Sequence, residues 1–473
     1  MPELIADIAV NAPLKQLFSY RIPPDLAPHA AVGKRVKVPF GRRTSTGVLL
    51  LLRDGSAEGL KDVKTVLDEQ PLLRPELITL LRWAADYYCH PIGQVIRNAL
   101  PGGLGSDKNT TKILLEPVYR AVNQETEPSG QKQRELLQFI RTEGETTLSL
   151  LRQNFSAPHA ALQRLVDLDF LEQQEKERQR DPFLLEKLPP DKCLTLNNDQ
   201  DSAVNKISAD IIKKSFKTFL LHGVTGSGKT EVYLRTVAEC LQQQRQALIL
   251  VPEIALTPQL VARFRARFEP SGCQLAVLHS GLSDGERYDA WRRISRDEVE
   301  IVIGARSAIF APLSSPGLII VDEEHETSYK QSEGFRYNAR DLALIRGKQQ
   351  CCPVVLGSAT PSLASYYRSE QGDVTRLELP QRAHAGEMPK VELLNLAENP
   401  PEGTLANRLI EELQNTLERR EQALLLLNRR GFAPFLLCTD CGTSFHCPNC
   451  EITLTFHQRE RAMRCHYCDY AEP

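Results

Sequence analysis

Apolar and polar residues alternate over the first fifty positions. Leu4 to Val10 and Phe18 to Ile22 read as strands, and the run from Gly33 to Gly41 leads into another at Thr46 to Leu52. Alternation with glycines and short spacing predicts a small β barrel or sandwich. The period becomes helical over Pro75 to Tyr88 and Ile92 to Ala99, until Pro101-Gly102-Gly103 and Gly105 break it and mark a boundary. Next come three short amphipathic segments, Leu136/Leu137/Ile140, Leu148/Leu151 and Leu162/Leu165/Val166, which finish in Asp169-Phe170-Leu171. That spacing suits a winged helix, and an unspecialised three-helix linker domain fits the pattern equally well. Polar stretches at Asn123 to Gly130 and Glu172 to Pro182 read as linkers.

From about residue 196 the texture changes to short apolar strands alternating with helices: Phe219 to His222, Ala247 to Val251, Leu275 to Leu278, Ile301 to Ile303, Leu318 to Val321 and Val354 to Leu356. Apolar runs without alternation are the mark of a parallel sheet covered on both faces. A second alternation begins near Val391, with a helix expected over Leu405 to Leu417 and a strand over Ala423 to Leu427. The expected class is thus α/β multidomain, divided as 1–105, 106–190, 191–380, 381–435 and 436–473.

Composition adds limits. A net charge of −2 provides no global basic field, so any nucleic-acid binding has to rest on local grooves. The start lacks the basic and apolar regions of a secretory signal, and no apolar run approaches a membrane span, so a cytoplasmic protein is expected. Six of the twelve cysteines, Cys438, Cys441, Cys447, Cys450, Cys465 and Cys468, fall in three C-x-x-C pairs near the end. Paired thiolates on tight turns each fill two corners of a tetrahedron, which favours structural zinc over disulfides or redox chemistry.

Gly223-Val224-Thr225-Gly226-Ser227-Gly228-Lys229-Thr230 matches the phosphate-binding loop, placed between an apolar strand and a helical run. Its backbone N–H groups can surround the phosphates of ATP, Lys229 adds a positive charge, and the Thr230 hydroxyl can ligate Mg²⁺. Further on, the strand ending at Val321 releases Asp322-Glu323-Glu324-His325. Asp322 is expected on Mg²⁺ and Glu323 on the attacking water.

With these motifs in this order the chain resembles the DEAD/DEAH-like superfamily 2 helicases, whose lobes are RecA-like. The segment from Val251 to Gln259 resembles motif Ia, in which Thr257-Pro258 starts a helix facing a DNA phosphate. Ile303 to Ser307 resembles the next backbone-contacting motif, with Arg306 and Ser307 as phosphate ligands, and Gly357-Ser358-Ala359-Thr360 resembles motif III. Gln200, in Asn198-Asp199-Gln200, is either an adenine sensor or part of a helix cap. Between Asp322-Glu323-Glu324-His325, motif II on this resemblance, and motif III, Tyr329, Lys330, Phe335, Arg336 and Tyr337 interleave aromatics with cations, either to stack bases and follow phosphate or to pack the loop on its own lobe.

The phrases Gly226 to Tyr233, His279-Ser280-Gly281-Leu282, Ser328-Tyr329-Lys330-Gln331 and Asn428-Arg429-Arg430-Gly431-Phe432 closely resemble the primosomal protein N-prime family of replication restart helicases. That resemblance implies an N-terminal domain that captures a nascent 3′ end, a winged helix, two helicase lobes and a zinc-binding insertion. It further implies 3′-to-5′ unwinding, stalled or forked and single-stranded DNA as substrate, and single-strand DNA-binding protein and replicative-helicase loading proteins of the primosome as partners.

On the resemblance, Val38 to Gly41 and Lys61 line the 3′-end pocket, where Ser19 replaces an aspartate between Phe18 and Tyr20. Cys447, Cys450, Cys465 and Cys468 would then close one zinc site, while Cys438 and Cys441 form half of a second. No Gln-x-x-Gly-Arg-x-x-Arg segment occurs, so the arginine finger is missing and poor hydrolysis is expected of these 473 residues. The alternative is a hydrolysis-deficient module that binds forked DNA and recruits other proteins.

Overall fold

Alternation in the first segment produces β1 (Glu3–Val10), β2 (Phe18–Arg21), β3 (Arg35–Phe40), β4 (Arg43–Gly55) and β5 (Thr65–Val66), an antiparallel sheet in the order β2-β1-β4-β3-β5. Two helices follow, α1 (Pro75–Tyr87) and α2 (Ile92–Ala99), close to the predicted bounds. The computed structural model describes residues 3–102, 104, 114–122, 127–177, 180, 191, 193–253, 258–383, 390–395, 401–402, 405–426, 443–457 and 462–472. They belong to two units, Met1–Ala385 and Gly386–Pro473. Among the described residues no helix is long and apolar enough to cross a membrane.

The next segment contains β6 (Leu115–Ala121), α3 (Gln131–Glu143), β7 (Thr146–Thr147), α4 (Leu148–Asn154), α5 (His159–Asp167) and β8 (Leu171–Glu177). Its strands form a sheet in the order β7-β6-β8, and Leu136, Leu137, Ile140, Leu151, Leu162 and Leu165 make its core. The segment is three helices with a three-stranded sheet, so it is not purely helical. Part of the stretch expected as a linker is strand β8, whose side chains after Leu171 are exposed. Its polarity hid a strand whose backbone pairs with β6 along its whole length.

The α/β layer comprises α6 (Asn198–Lys213), β9 (Thr218–Gly223), α7 (Lys229–Gln242), β10 (Gln246–Leu250), α8 (Pro258–Phe268), β11 (Leu275–Leu278), α9 (Asp284–Ser295), β12 (Ile301–Gly304), β13 (Pro316–Val321), α10 (Ala339–Gln349), β14 (Val354–Ser358), α11 (Leu363–Glu370) and β15 (Thr375–Leu379). Its seven strands are parallel in the order β11-β12-β10-β13-β14-β9-β15. Successive residues serve opposite faces. Ala247, Ile249, Leu318 and Ile320 pack with α6, α7 and α8, whereas Leu248, Leu250, Ile319 and Val321 enter a second core.

That second core also contains Leu77, Leu80, Leu81 and Ala84 of α1 and Val95 and Ile96 of α2. The N-terminal helices are therefore covered by the same apolar layer as the sheet. β15 was not expected, because Arg376 and Glu378 interrupt its apolar face and leave only Leu377 and Leu379 buried.

In the second unit, β16 (Pro401–Glu402) and β17 (Leu405–Ala406) precede α12 (Asn407–Glu418), and β18 (Thr455–His457), β19 (Ala462–Arg464) and β20 (Ala471–Glu472) make a small antiparallel sheet. The expected strand at Ala423 is absent over residues 423–426, where Leu424 and Leu426 are 98% and 92% exposed. Among the described residues no strand pairs with this segment, and an apolar run without a ladder partner gains nothing by extending. Leu427 and the Asn428 to Phe432 phrase lie outside the described residues.

One buried cation stabilises the segment that carries Arg306 and Ser307. Arg346, 2% exposed, donates from Nη1 to the Ile309 carbonyl at 2.6 Å and from Nη2 to the Ala311 carbonyl at 2.7 Å. Burial lowers its pKa to about 10, which keeps it charged at neutral pH. Arg346→Met retains the volume but removes the guanidinium donor from the Ile309 carbonyl and leaves the Ala311 carbonyl with the Leu313 N–H (2.8 Å), and is expected to cost about 2 kcal/mol of unfolding free energy in urea titration. An unchanged urea midpoint would show that water replaces the guanidinium.

A candidate nucleotide site beside a candidate DNA cleft

A parallel sheet gathers the ends of its strands at one edge, and here β13, β14 and β9 are consecutive neighbours. Asp322, Ser358 and the Gly223 loop therefore emerge side by side. The loop turns through Gly226 (φ +80°) and Gly228 (φ +82°), conformations that a side chain disfavours, and α7 starts at Lys229. Lys229 Nζ donates to the Gly223 carbonyl at 3.0 Å and lies 3.9 Å from Glu323 Oε1. Val224 and Thr225 are exposed, as is Gly226, while Thr230 is half-buried at the helix start.

Ser227 Oγ is buried and, among the described residues, has no hydrogen-bond partner. An unfilled donor inside a loop of positive-φ glycines at a helix N-terminus fits the phosphates of a nucleotide. Asp322 fits a magnesium shell in a different way. Burial of its carboxyl raises its pKa, and the Tyr233 phenol donates to Oδ1 at 2.8 Å in opposition. Glu323 sits at φ +45°, a left-handed backbone uncommon for a residue with a side chain.

Glu324, whose neighbours in sequence do not set it apart, is fully buried. It accepts from the Ser362 N–H (2.6 Å), Ser365 Oγ (2.8 Å), Ser362 Oγ (3.1 Å) and Arg340 Nη1 (3.1 Å). Its own N–H donates to the Gly357 carbonyl at 3.0 Å. His325 Nδ1 lies 2.8 Å from Ser358 Oγ. Motif II is thus bound to motif III and, through Arg340, to the end of the aromatic-rich loop.

Gln200 takes the helix-cap alternative. Its Oε1 accepts from the Asn197 N–H at 2.9 Å, its own N–H donates to Asn197 Oδ1 at 2.8 Å, and Nε2 donates to the Ser227 carbonyl at 2.8 Å. The amide thereby fastens the cap of α6 to the phosphate loop, with both of its polar atoms engaged by protein.

Arg306, Ser307, Tyr329, Lys330 and Tyr337 all line one cleft of about 340 Å³, to which Asn98 of α2 also contributes. The aromatic residues do not stand ready to stack bases: Phe335 is 0% exposed, Tyr329 1% and Tyr337 2%. Burial against the lobe wins because the rings pair with each other and with the N-terminal helices. Phe335 and Tyr337 stack at 5.0 Å, Tyr88 meets Phe335 edge-on at 5.6 Å, and the Tyr88 hydroxyl accepts from the Asn338 N–H at 3.0 Å. Tyr329 OH is 2.6 Å from the Asp322 carbonyl and 3.0 Å from that of Leu250. Lys330 and Arg336 remain exposed. Arg306, expected free for phosphate, donates to the Ser328 and Lys330 carbonyls at 3.3 and 3.1 Å. Thr257 lies outside the described residues.

At the N-terminal sheet, Phe18 meets Phe40 edge-on at 5.0 Å beside the exposed turn at Gly41 (φ +60°). Ser19 is directly opposite Asp7 on β1 and donates to its Oδ1 at 2.6 Å, so a carboxylate stands next to the hydroxyl. Lys61 has an exposed side chain, and its carbonyl accepts from the Arg21 N–H at 3.0 Å.

Cys447, Cys450, Cys465 and Cys468 form a four-thiol group whose sulfur atoms all lie within 4.8 Å of one another. Tetrahedral zinc with ligands at its usual bond length separates sulfurs by about 3.8 Å, so the set fits. Two equivalent turns create it: the Glu451 N–H donates to the Cys447 carbonyl (2.9 Å) and the Asp469 N–H to the Cys465 carbonyl (3.0 Å), with Glu451 and Asp469 both left-handed. Cys438 and Cys441 lie outside the described residues.

Three family models match this chain: the PriA 3′ DNA-binding domain over residues 7–101, the DEAD/DEAH box helicase over 197–368, and the PriA DNA helicase Cys-rich region over 447–473. The replication restart protein PriA of Bacillus subtilis is 35% identical over 545 residues, covering 100% of this chain and 67% of the relative. PriA of Haemophilus influenzae is 37% identical, covering 98% of this chain and 64% of the relative, and that of Chlamydia trachomatis is 36% identical with the same coverage. The chain thus spans about two thirds of the length of these relatives. The chain belongs to the PriA replication restart protein family.

Proposed function

We propose that this chain is the nucleotide-binding and DNA-engaging part of an ATP-dependent 3′-to-5′ DNA helicase that acts at stalled or abandoned forks and starts primosome assembly. The observation that carries this reading is the meeting of the Gly223 loop, the Asp322-Glu323 pair and Ser358 at one sheet edge, connected to a cleft that holds Arg306, Ser307 and Lys330.

Backbone N–H groups of the loop and Ser227 Oγ receive the phosphates, and Lys229 exchanges the Gly223 carbonyl for a phosphate oxygen. Thr230 and Asp322 would hold magnesium, which when bound would neutralise charge on the phosphates. Glu323 orients and deprotonates the attacking water. Glu324 and Arg340 connect this edge to the loop whose exposed Lys330 and Arg336 follow the DNA backbone. The edge near Ser19, Gly41 and Lys61 receives the 3′ end. Protein partners are single-strand DNA-binding protein and helicase-loading proteins. Hydrolysis by these 473 residues is slow, since they contain no Gln-x-x-Gly-Arg-x-x-Arg donor.

Lys229→Ala is expected to weaken binding of a fluorescent ATP analogue at least about tenfold while forked DNA still binds in a mobility-shift assay. Retained nucleotide affinity would remove the phosphate site. Lys330→Ala is expected to weaken binding to all DNA sequences alike and to reduce the salt slope of log K by about 1, measured by fluorescence anisotropy. A slope equal to wild type would take Lys330 off the phosphate path. Cys450→Ser is expected to lower bound zinc by about one ion per chain in a chromogenic chelator assay, with nucleotide affinity unchanged. The same zinc content in both proteins would contradict the four-thiol assignment.

A further inference from the structure

Tyr233 is fully buried one turn into α7, and a packed core ring needs no hydroxyl. Its phenol nevertheless reaches across the end of β14 to donate to Asp322 Oδ1 at 2.8 Å. Space for that reach is reserved by a glycine: a Cβ at Gly357 would lie 1.7 Å from the Tyr233 oxygen and 3.4 Å from Asp322 Oδ1. The backbone that carries this carboxylate is also held, since Tyr329 OH donates to the Asp322 main-chain carbonyl at 2.6 Å. Thr230 and Tyr233 are three residues apart on α7 and so share a helix face.

We propose that Tyr233 is a positioning residue for the magnesium site: its hydroxyl occupies Oδ1 of Asp322 and fixes the rotation of the carboxylate, so that α7 sets both magnesium ligands, one through Thr230 and the other through Tyr233. The inference rests on the assignment of Asp322 to magnesium made above. A carboxylate that must find its own orientation binds a metal more weakly than one held by an outer hydrogen bond. Removing the phenol oxygen therefore changes magnesium dependence and leaves the phosphate cradle intact.

Equilibrium titration of a fluorescent ADP analogue, with Mg²⁺ varied and with EDTA as the metal-free arm, tests this on the whole chain. Tyr233→Phe is expected to need about tenfold more Mg²⁺ to reach half of the magnesium-dependent gain in affinity, with affinity in EDTA unchanged. An identical Mg²⁺ requirement overturns the proposal. A parallel loss with and without Mg²⁺ also overturns it, because it would mark Tyr233 as packing or cradle only. Asp322→Asn in the same titration tests the underlying assignment by itself, since it should abolish the magnesium-dependent gain. If that gain persists, Asp322 is not a ligand, and the proposal fails together with the assignment.

Discussion

Parallel pairing of β13, β14 and β9 is the constraint on which the candidate site depends. Residues Asp322, Ser358 and Gly223 are far apart in sequence, and only backbone ladders that align Ile319 with Val354 and Val354 with Thr218 bring their strand ends into register. Each strand is buried on both faces, so its side chains face apolar layers and its polar chemistry is confined to the ends. A slip of one residue in any of these ladders would reverse which side chains meet each layer and separate the phosphate loop from the acidic pair.

Electrostatics at that edge balances burial against fixed donors. Burial penalises the charged form of Asp322, and the Tyr233 phenol opposes the penalty. Glu324 is buried more completely and depends on four donors from two separate segments, Ser362 to Ser365 and Arg340. A carboxylate so enclosed needs those donors to offset its loss of hydration. The acidic cluster, motif III and the start of α10 are consequently one hydrogen-bonded body, and displacement of the loop before α10 would be felt at the phosphate edge.

The N-terminal module has a closer relation to the α/β layer than its separate periodicity implies. Helices α1 and α2 contribute to the core that also holds Leu250, Val321 and Phe335. Tyr88 then engages Phe335 and Asn338 directly. The aromatic-rich loop is thereby enclosed between the lobe and a helix from a different module, which explains why its rings are buried while its cations Lys330 and Arg336 face solvent.

Local information in the sequence determined the strand and helix periods, the phosphate loop with its glycines, the acidic strand end and the cysteine pairs, because each depends on spacing over a few residues. It also placed α2 at its observed bounds and α1 within a residue. Other features required coordinates. Strand β15 and strand β8 are stabilised by ladders with distant partners and carry too many polar residues to be recognised alone. Aromatic residues flanked by cations read as a base-stacking surface, yet Tyr329, Phe335 and Tyr337 were buried in the core that the sheet shares with the N-terminal helices. Whether a side chain faces solvent, another residue or a ligand is settled by what the fold brings opposite it. Tyr233 illustrates this best: adjacent to the loop in sequence, it acquired a role only when β13 placed Asp322 within reach of its hydroxyl.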